Sequence, residues 1–115
     1  MIEFDITHES EELLKLLYAV YCGRRAEGKG RTASNDFGSS QDIHCEYLSN
    51  MSSDDVFELC AELKRAGCIT GFAAGDEICC IQLTSDALVY GEQTFKRNTQ
   101  ELLSWVSSIK GILPF

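Results

Sequence analysis

Apolar residues at helical spacing, Leu13, Leu16, Leu17 and Val20, with a second apolar face of Leu14, Tyr18 and Tyr21, predict a first helix hydrophobic nearly all round and therefore central. It opens near Thr7 or Ser10, whose hydroxyls can accept from free backbone N–H groups. Gly23 is its expected stop, with Arg24 and Arg25 beside the negative helix end. Ahead of it Ile2, Phe4 and Ile6 alternate with Glu3 and Asp5, the pattern of a short strand or of an extended arm laid on the core. A short helix is expected from Ser39 or Ser40 through Ile43, Tyr47 and Leu48. Val56, Leu59, Cys60 and Leu63 then mark a helix whose two ends are written in the sequence. Ser52 and Asp55 form a capping-box pair, Met51 and Val56 a hydrophobic staple, and Gly67 a left-handed stop with Cys68 placed to touch Leu63.

Beyond that stop, Ile69 to Phe72 and Glu77 to Leu83 flank a turn at Gly75-Asp76 and predict a two-stranded hairpin. Its second strand should set Cys79, Ile81 and Leu83 on one face and Ile78, Cys80 and Gln82 on the other. Thr84 caps a further helix from Ser85, in which Gly91 implies close approach to the first helix. The pattern restarts at Thr99 with Leu102, Leu103, Trp105, Val106 and Ile109, as the continuation of one kinked helix or as a second one. Helix, helix, hairpin and helix in this order is an α+β chain on the plan of a winged helix-turn-helix: mostly helical, with a two-stranded wing and a C-terminal helix or helices. Residues 1–115 form one such domain, interrupted by a flexible loop at about 23–38 that is rich in Gly, Ser and charge.

The run Leu63-Lys64-Arg65-Ala66-Gly67-Cys68-Ile69-Thr70-Gly71-Phe72, followed by Leu83-Thr84-Ser85-Asp86-Ala87-Leu88-Val89-Tyr90, resembles the small YjcQ-like winged-helix proteins of Gram-positive bacteria and their phages. Cys68 stands where that pattern has an aromatic residue and Ala87 where it has a glycine. The likeness covers the C-terminal half. It implies a winged-helix domain, an architecture of DNA-binding type, and carries over no catalytic residue.

Charge changes what that architecture can do. The chain of 115 residues has a net charge of -8, distributed unevenly. Arg24, Arg25, Lys29 and Arg31 make one basic patch. Residues 32–62 hold seven acids and no base, so the expected recognition helix carries Asp54, Asp55, Glu58 and Glu62 before its first base, Lys64. The expected wing, Ala73-Ala74-Gly75-Asp76-Glu77, has no base either. Affinity for duplex DNA comes largely from Lys and Arg on phosphates. The primary expectation is therefore a non-enzymatic module for protein interaction or dimerisation, with Asp54, Asp55, Glu58 and Glu62 and the apolar C-terminal residues Trp105, Val106, Ile109, Ile112, Leu113 and Phe115 as its interface. The alternative is a bacterial or phage DNA-binding regulator contacting phosphates through Arg24, Arg25, Lys29, Arg31, Lys64 and Arg65, a role that the charge disfavours.

The remaining chemistry narrows little further. His8 and His44 sit in no nucleophile or metal motif, and Gly28-Lys29-Gly30 lacks the order of a phosphate loop, so neither catalysis nor a cofactor is expected. Six cysteines lie within apolar periodic segments without ligand spacing and read as reduced packing residues. A zinc site would have to draw on His44, Cys45 and Cys60. No apolar run approaches the roughly 20 residues of a bilayer crossing, and an acidic N-terminus is unlike a secretory leader, which places the protein in the cytoplasm with no membrane partner.

Overall fold

The computed structural model describes residues 2–95. Its elements run α1 (His8–Ala26), α2 (Arg31–Ser34), α3 (Ser40–Tyr47), α4 (Ser53–Arg65), β1 (Ile69–Ala74), β2 (Glu77–Leu83) and α5 (Ser85–Phe95). The fold is α+β, with an antiparallel hairpin following the helices and a further helix after it. The expected restart at Thr99 lies outside the described residues.

Helix α1 is the axis of the core. Leu13, Leu14, Leu16, Leu17, Tyr18 and Ala19 are all buried, so apolar residues face inward around most of its circumference. Thr7 is its N-cap, accepting from the Ser10 N–H at 3.3 Å. The expected stop at Gly23 does not occur. The helix continues for one more turn to Ala26, and the chain turns off it at Gly28, where φ is 94° and the N–H groups of Gly28 and Lys29 bond to the carbonyls of Arg25 and Arg24. A glycine inside a helix costs only about 1 kcal/mol. Continuing lets Arg24 reach carbonyls farther along the chain, whereas a positive φ is needed only where the chain turns off the helix.

The C-terminal end of α4 forms as the sequence predicts, and at the N-terminal end the Ser52 half of the expected capping box does. Ser52 accepts from the Asp55 N–H at 3.1 Å, and at Gly67 (φ 85°) the Cys68 N–H bonds to the Leu63 carbonyl and the Gly67 N–H to that of Lys64. The reciprocal capping box forms one helix earlier, between Ser39 and Asp42 at the start of α3. Ile43 and Leu48 from α3 and its exit meet Val56, Leu59, Cys60 and Leu63 in the core cluster.

The segment read as a loop at about 23–38 contains the last turn of α1, all of α2, and a strip that lies along β2. The Phe37 N–H bonds to the Ile81 carbonyl at 3.1 Å and the Ile81 N–H to the Gly38 carbonyl at 2.8 Å. The Asn35 amide both donates to the Leu83 carbonyl and accepts from the Leu83 N–H. Phe37 is buried, and Arg24 covers it.

The hairpin departs from simple alternation. Its register passes from Thr70↔Gln82 to Phe72↔Cys79, so Gly71 faces two residues, Cys80 and Ile81, and Cys80 takes a left-handed φ of 58°. This bulge shifts the pleat by one residue. Ile78, Ile81 and Leu83 are therefore the buried set, with Cys80 and Gln82 exposed, rather than the predicted split with Ile78 opposite Ile81.

Helix α5 returns to α1. A side chain at Gly91 would run into the Tyr18 ring, and Tyr18 stacks on Phe95 at 5.9 Å, the close approach that the glycine predicts. Thr84 ties α5 to the end of α4, its Oγ1 accepting from the Ala87 N–H and donating to the Gly67 carbonyl at 2.8 Å. The first residues form an extended arm. Ile2 donates to Gln93, Phe4 packs on Tyr90 at 5.6 Å, and the Tyr90 hydroxyl donates to Glu11.

Candidate interaction surface

The exposed side of α4 is what its amphipathic spacing leaves after Val56, Leu59, Cys60 and Leu63 enter the core. Ser53, Asp54, Asp55 and Glu58 are exposed and Phe57 half-buried. The acids fall on the first turns, where the helix dipole favours negative charge, and the bases Lys64 and Arg65 on the last, where it favours positive. Local electrostatics thus accounts for the distribution along the helix. Its consequence is an exposed stretch of carboxylates along the first turns of α4. The hairpin tip adds exposed Ala73, Ala74, Gly75 and Asp76, and no base.

Glu62 belongs elsewhere. Its carboxylate accepts from the backbone N–H and the hydroxyl of Thr7, pinning the arm to α4 at the point where α1 begins. The backbone hydrogen bond from Thr7 is the main reason that its pKa lies below the usual carboxylate range. Of the four acids expected at the interface, three face outward and Glu62 is engaged in the fold.

The bases do not converge. Arg24 donates to the carbonyls of Asp36 at 2.7 Å and Ser34 at 3.3 Å, and its guanidinium sits 5.3 Å over the Phe37 ring, so it holds the 34–38 strip. Arg25 donates to the Lys29 carbonyl at 3.3 Å. Arg25 and Arg31 open onto a cleft of about 360 Å³ between α1 and α5, floored by Tyr18, Tyr21, Leu88 and Val89; no α4 residue lines it. Arg65 borders a separate groove with Glu3, Asp5 and Glu62. Lys64, Lys29 and Arg31 are exposed. Of the six candidate phosphate contacts, Arg24 is engaged in the fold, Arg25 and Arg31 share one cleft and Arg65 borders another groove. The apolar candidates Trp105, Val106, Ile109, Ile112, Leu113 and Phe115 lie outside the described residues.

The cysteines are less uniform than their spacing predicts. Cys60 and Cys68 are buried, and burial pushes both thiols up to about 12, so they stay protonated and pack as small apolar groups. Cys22 and Cys79 are half-buried, while Cys45 and Cys80 are exposed. His44 contacts the Met51 carbonyl at 2.8 Å through Nε2, and Cys45 lies 3.7 Å from Gln41 Nε2. Among the described residues, the group whose ligand atoms could meet at one ion is His8, Glu11 and Glu12 on the first turns of α1; it includes none of His44, Cys45 and Cys60. Burial also raises the hydroxyl pKa of Tyr18 and of Tyr90, as expected of packed side chains.

No helix among the described residues is long and apolar enough to cross a membrane. No family model, no curated protein and no solved structure matches the chain.

Proposed function

We propose that the chain is a non-enzymatic, cytoplasmic winged-helix module that binds a basic protein segment through the exposed face of α4. Support for the winged-helix reading is the element order, with α3 and α4 as the helix-turn-helix, β1 and β2 as the wing, and the 35–38 strip in the place of the strand that usually precedes the helix pair. The resemblance to YjcQ-like proteins is part of this reading and rests on the quoted residues alone. The observation that carries the choice of partner is the exposed carboxylate set Asp54, Asp55 and Glu58, with no base on that helix before Lys64. Phosphates would be repelled where a DNA-binding winged helix needs attraction, whereas Lys and Arg of a protein partner would be drawn in.

The competing reading, a DNA-binding regulator, draws on exposed Arg25, Lys29 and Arg31. Fluorescence anisotropy separates the two, with a labelled Lys/Arg-rich peptide and a labelled duplex as probes. The peptide should bind, and the triple change Asp54→Asn, Asp55→Asn, Glu58→Gln should weaken it by about tenfold or more. Duplex DNA should bind no better than about 10⁻⁴ M at physiological salt. Salt-sensitive duplex binding tighter than about 10⁻⁷ M, lost on Arg31→Ala, would replace this reading with the regulator.

A further inference from the structure

The chain holds 10 Lys and Arg against 18 Asp and Glu, yet among the described residues neither Arg25 nor Arg31 forms an ion pair with a carboxylate. Both are exposed, and Arg25 gives one N–H to the Lys29 carbonyl. Both open onto the cleft of about 360 Å³ between α1 and α5, and Arg31 also borders a second hollow of about 240 Å³ at the start of α5. The two spaces share Arg31, Ser85 and Leu88. The floor of the larger one is apolar. Tyr18 and Tyr21 stack on one another at 6.3 Å, and Leu88 and Val89 line it from α5. Val89 is one of three large apolar side chains left exposed among the described residues. Glu92 lies at the far end, about two turns along α5 from Ser85.

We propose that this cleft binds a free mononucleotide, a phosphate carried on a flat and largely apolar base. The two guanidinium groups match the charge of a phosphate monoester near neutral pH, about -1.5 to -2, and each can give paired N–H donors to its oxygens. Ser85 adds a hydroxyl at the N-terminal end of α5, where the helix dipole also favours an anion; Asp86, the acid of that first turn, lines neither space. The base takes the tyrosine floor, since a planar ring stacks on an aromatic side chain and covers Leu88 and Val89 as it does so. Thr32 and Gln82, exposed on the second hollow, offer polar groups to the sugar.

Size and charge select this occupant. The cleft falls in the usual range of small-molecule pockets, about 300–1,000 Å³. A bare anion would leave the tyrosine floor uncovered, and an uncharged apolar compound would leave two guanidinium groups beside it without an anion, so the ligand carries both parts. Glu92 repels phosphate from the far end and so assigns the anion to the arginine end. No residue of α4 lines either space, so the site is separate from the surface proposed for the basic partner and does not depend on that reading.

Isothermal titration calorimetry on the full chain, with the monophosphates of adenosine, guanosine, cytidine and uridine as probes, tests the site. At least one should bind with a dissociation constant of about 10⁻⁴ M or tighter, and at least about tenfold more tightly than inorganic phosphate or its own nucleoside. Arg31→Gln should weaken that binding at least about tenfold. Arg31→Lys keeps the charge but loses the paired donors, and should fall between the two. Val89→Glu sets a carboxylate on the cleft wall and should abolish binding, with a thermal midpoint close to that of the wild type because Val89 is exposed. Absence of binding by all four probes at millimolar concentration, or an affinity indifferent to both Arg31→Gln and Val89→Glu, overturns the proposal. Inorganic phosphate that binds as tightly as the nucleotides overturns the part given to the tyrosine floor. A short single-stranded oligonucleotide that binds more tightly than every mononucleotide overturns the free nucleotide in favour of a nucleic-acid strand.

Discussion

Two stretches of similar length, 52–68 and 23–38, reach order by opposite routes. The first is fixed by its neighbours in sequence: Ser52 caps, Gly67 stops, and the apolar face repeats between them. The second has no period, and its order comes from partners far along the chain: Phe37 and Gly38 on Ile81, and Asn35 on Leu83. A glycine- and serine-rich composition describes the conformational freedom of an isolated segment, and long-range hydrogen bonds can remove that freedom without leaving a periodic trace. The basic residues show the same contrast. Arg24 looks like a free cation in the sequence and in the fold is the brace of the strip.

The sharpest way to break the comparison is at Phe37. Truncation to Ala removes a buried ring from under Arg24 and should cost about 3–5 kcal/mol in urea unfolding. A cost below about 1 kcal/mol would mean that the strip is not part of the core. Asn35→Ala should come next. It leaves the Leu83 N–H and carbonyl without their side-chain partner and should cost about 1–3 kcal/mol, with faster amide exchange at Leu83. Unchanged exchange there would contradict the pairing.

The locally determined stretch should respond more mildly. Ser52→Ala removes a helix cap and should cost about 1 kcal/mol. Circular dichroism of peptides should divide the two regions directly: a peptide spanning 50–68 should lose part of its helicity on the same change, while one spanning 23–38 should show none to lose.

The smallest effect is electrostatic. The folded-state pKa of Glu62 is lowered, chiefly by the Thr7 backbone hydrogen bond, so its contribution is fully present above the unfolded carboxylate value of about 4.3 and is lost as pH falls through the folded value. Glu62→Gln should therefore reduce stability near neutral pH, converging on the wild type in acid. Since the group is only partly covered, the difference should be about 0.5 kcal/mol. A difference that grows toward low pH would reverse the sign and exclude the arm contact as its cause.

The sequence alone determined α4 with both its ends, the hairpin, the Thr84 cap and the approach of Gly91 to α1, because each depends on residues within a few positions or on the size of one side chain. The acidic face of α4 was equally legible, since helical spacing decides which residues remain outside. Tertiary structure decided the rest. It carried α1 past Gly23, gave Arg24 its acceptors, drew Glu62 to Thr7, and placed a bulge at Cys80 that turns Ile78 and Ile81 to the same side. These features depend on groups distant in the chain, and only folding brings such groups within hydrogen-bonding reach.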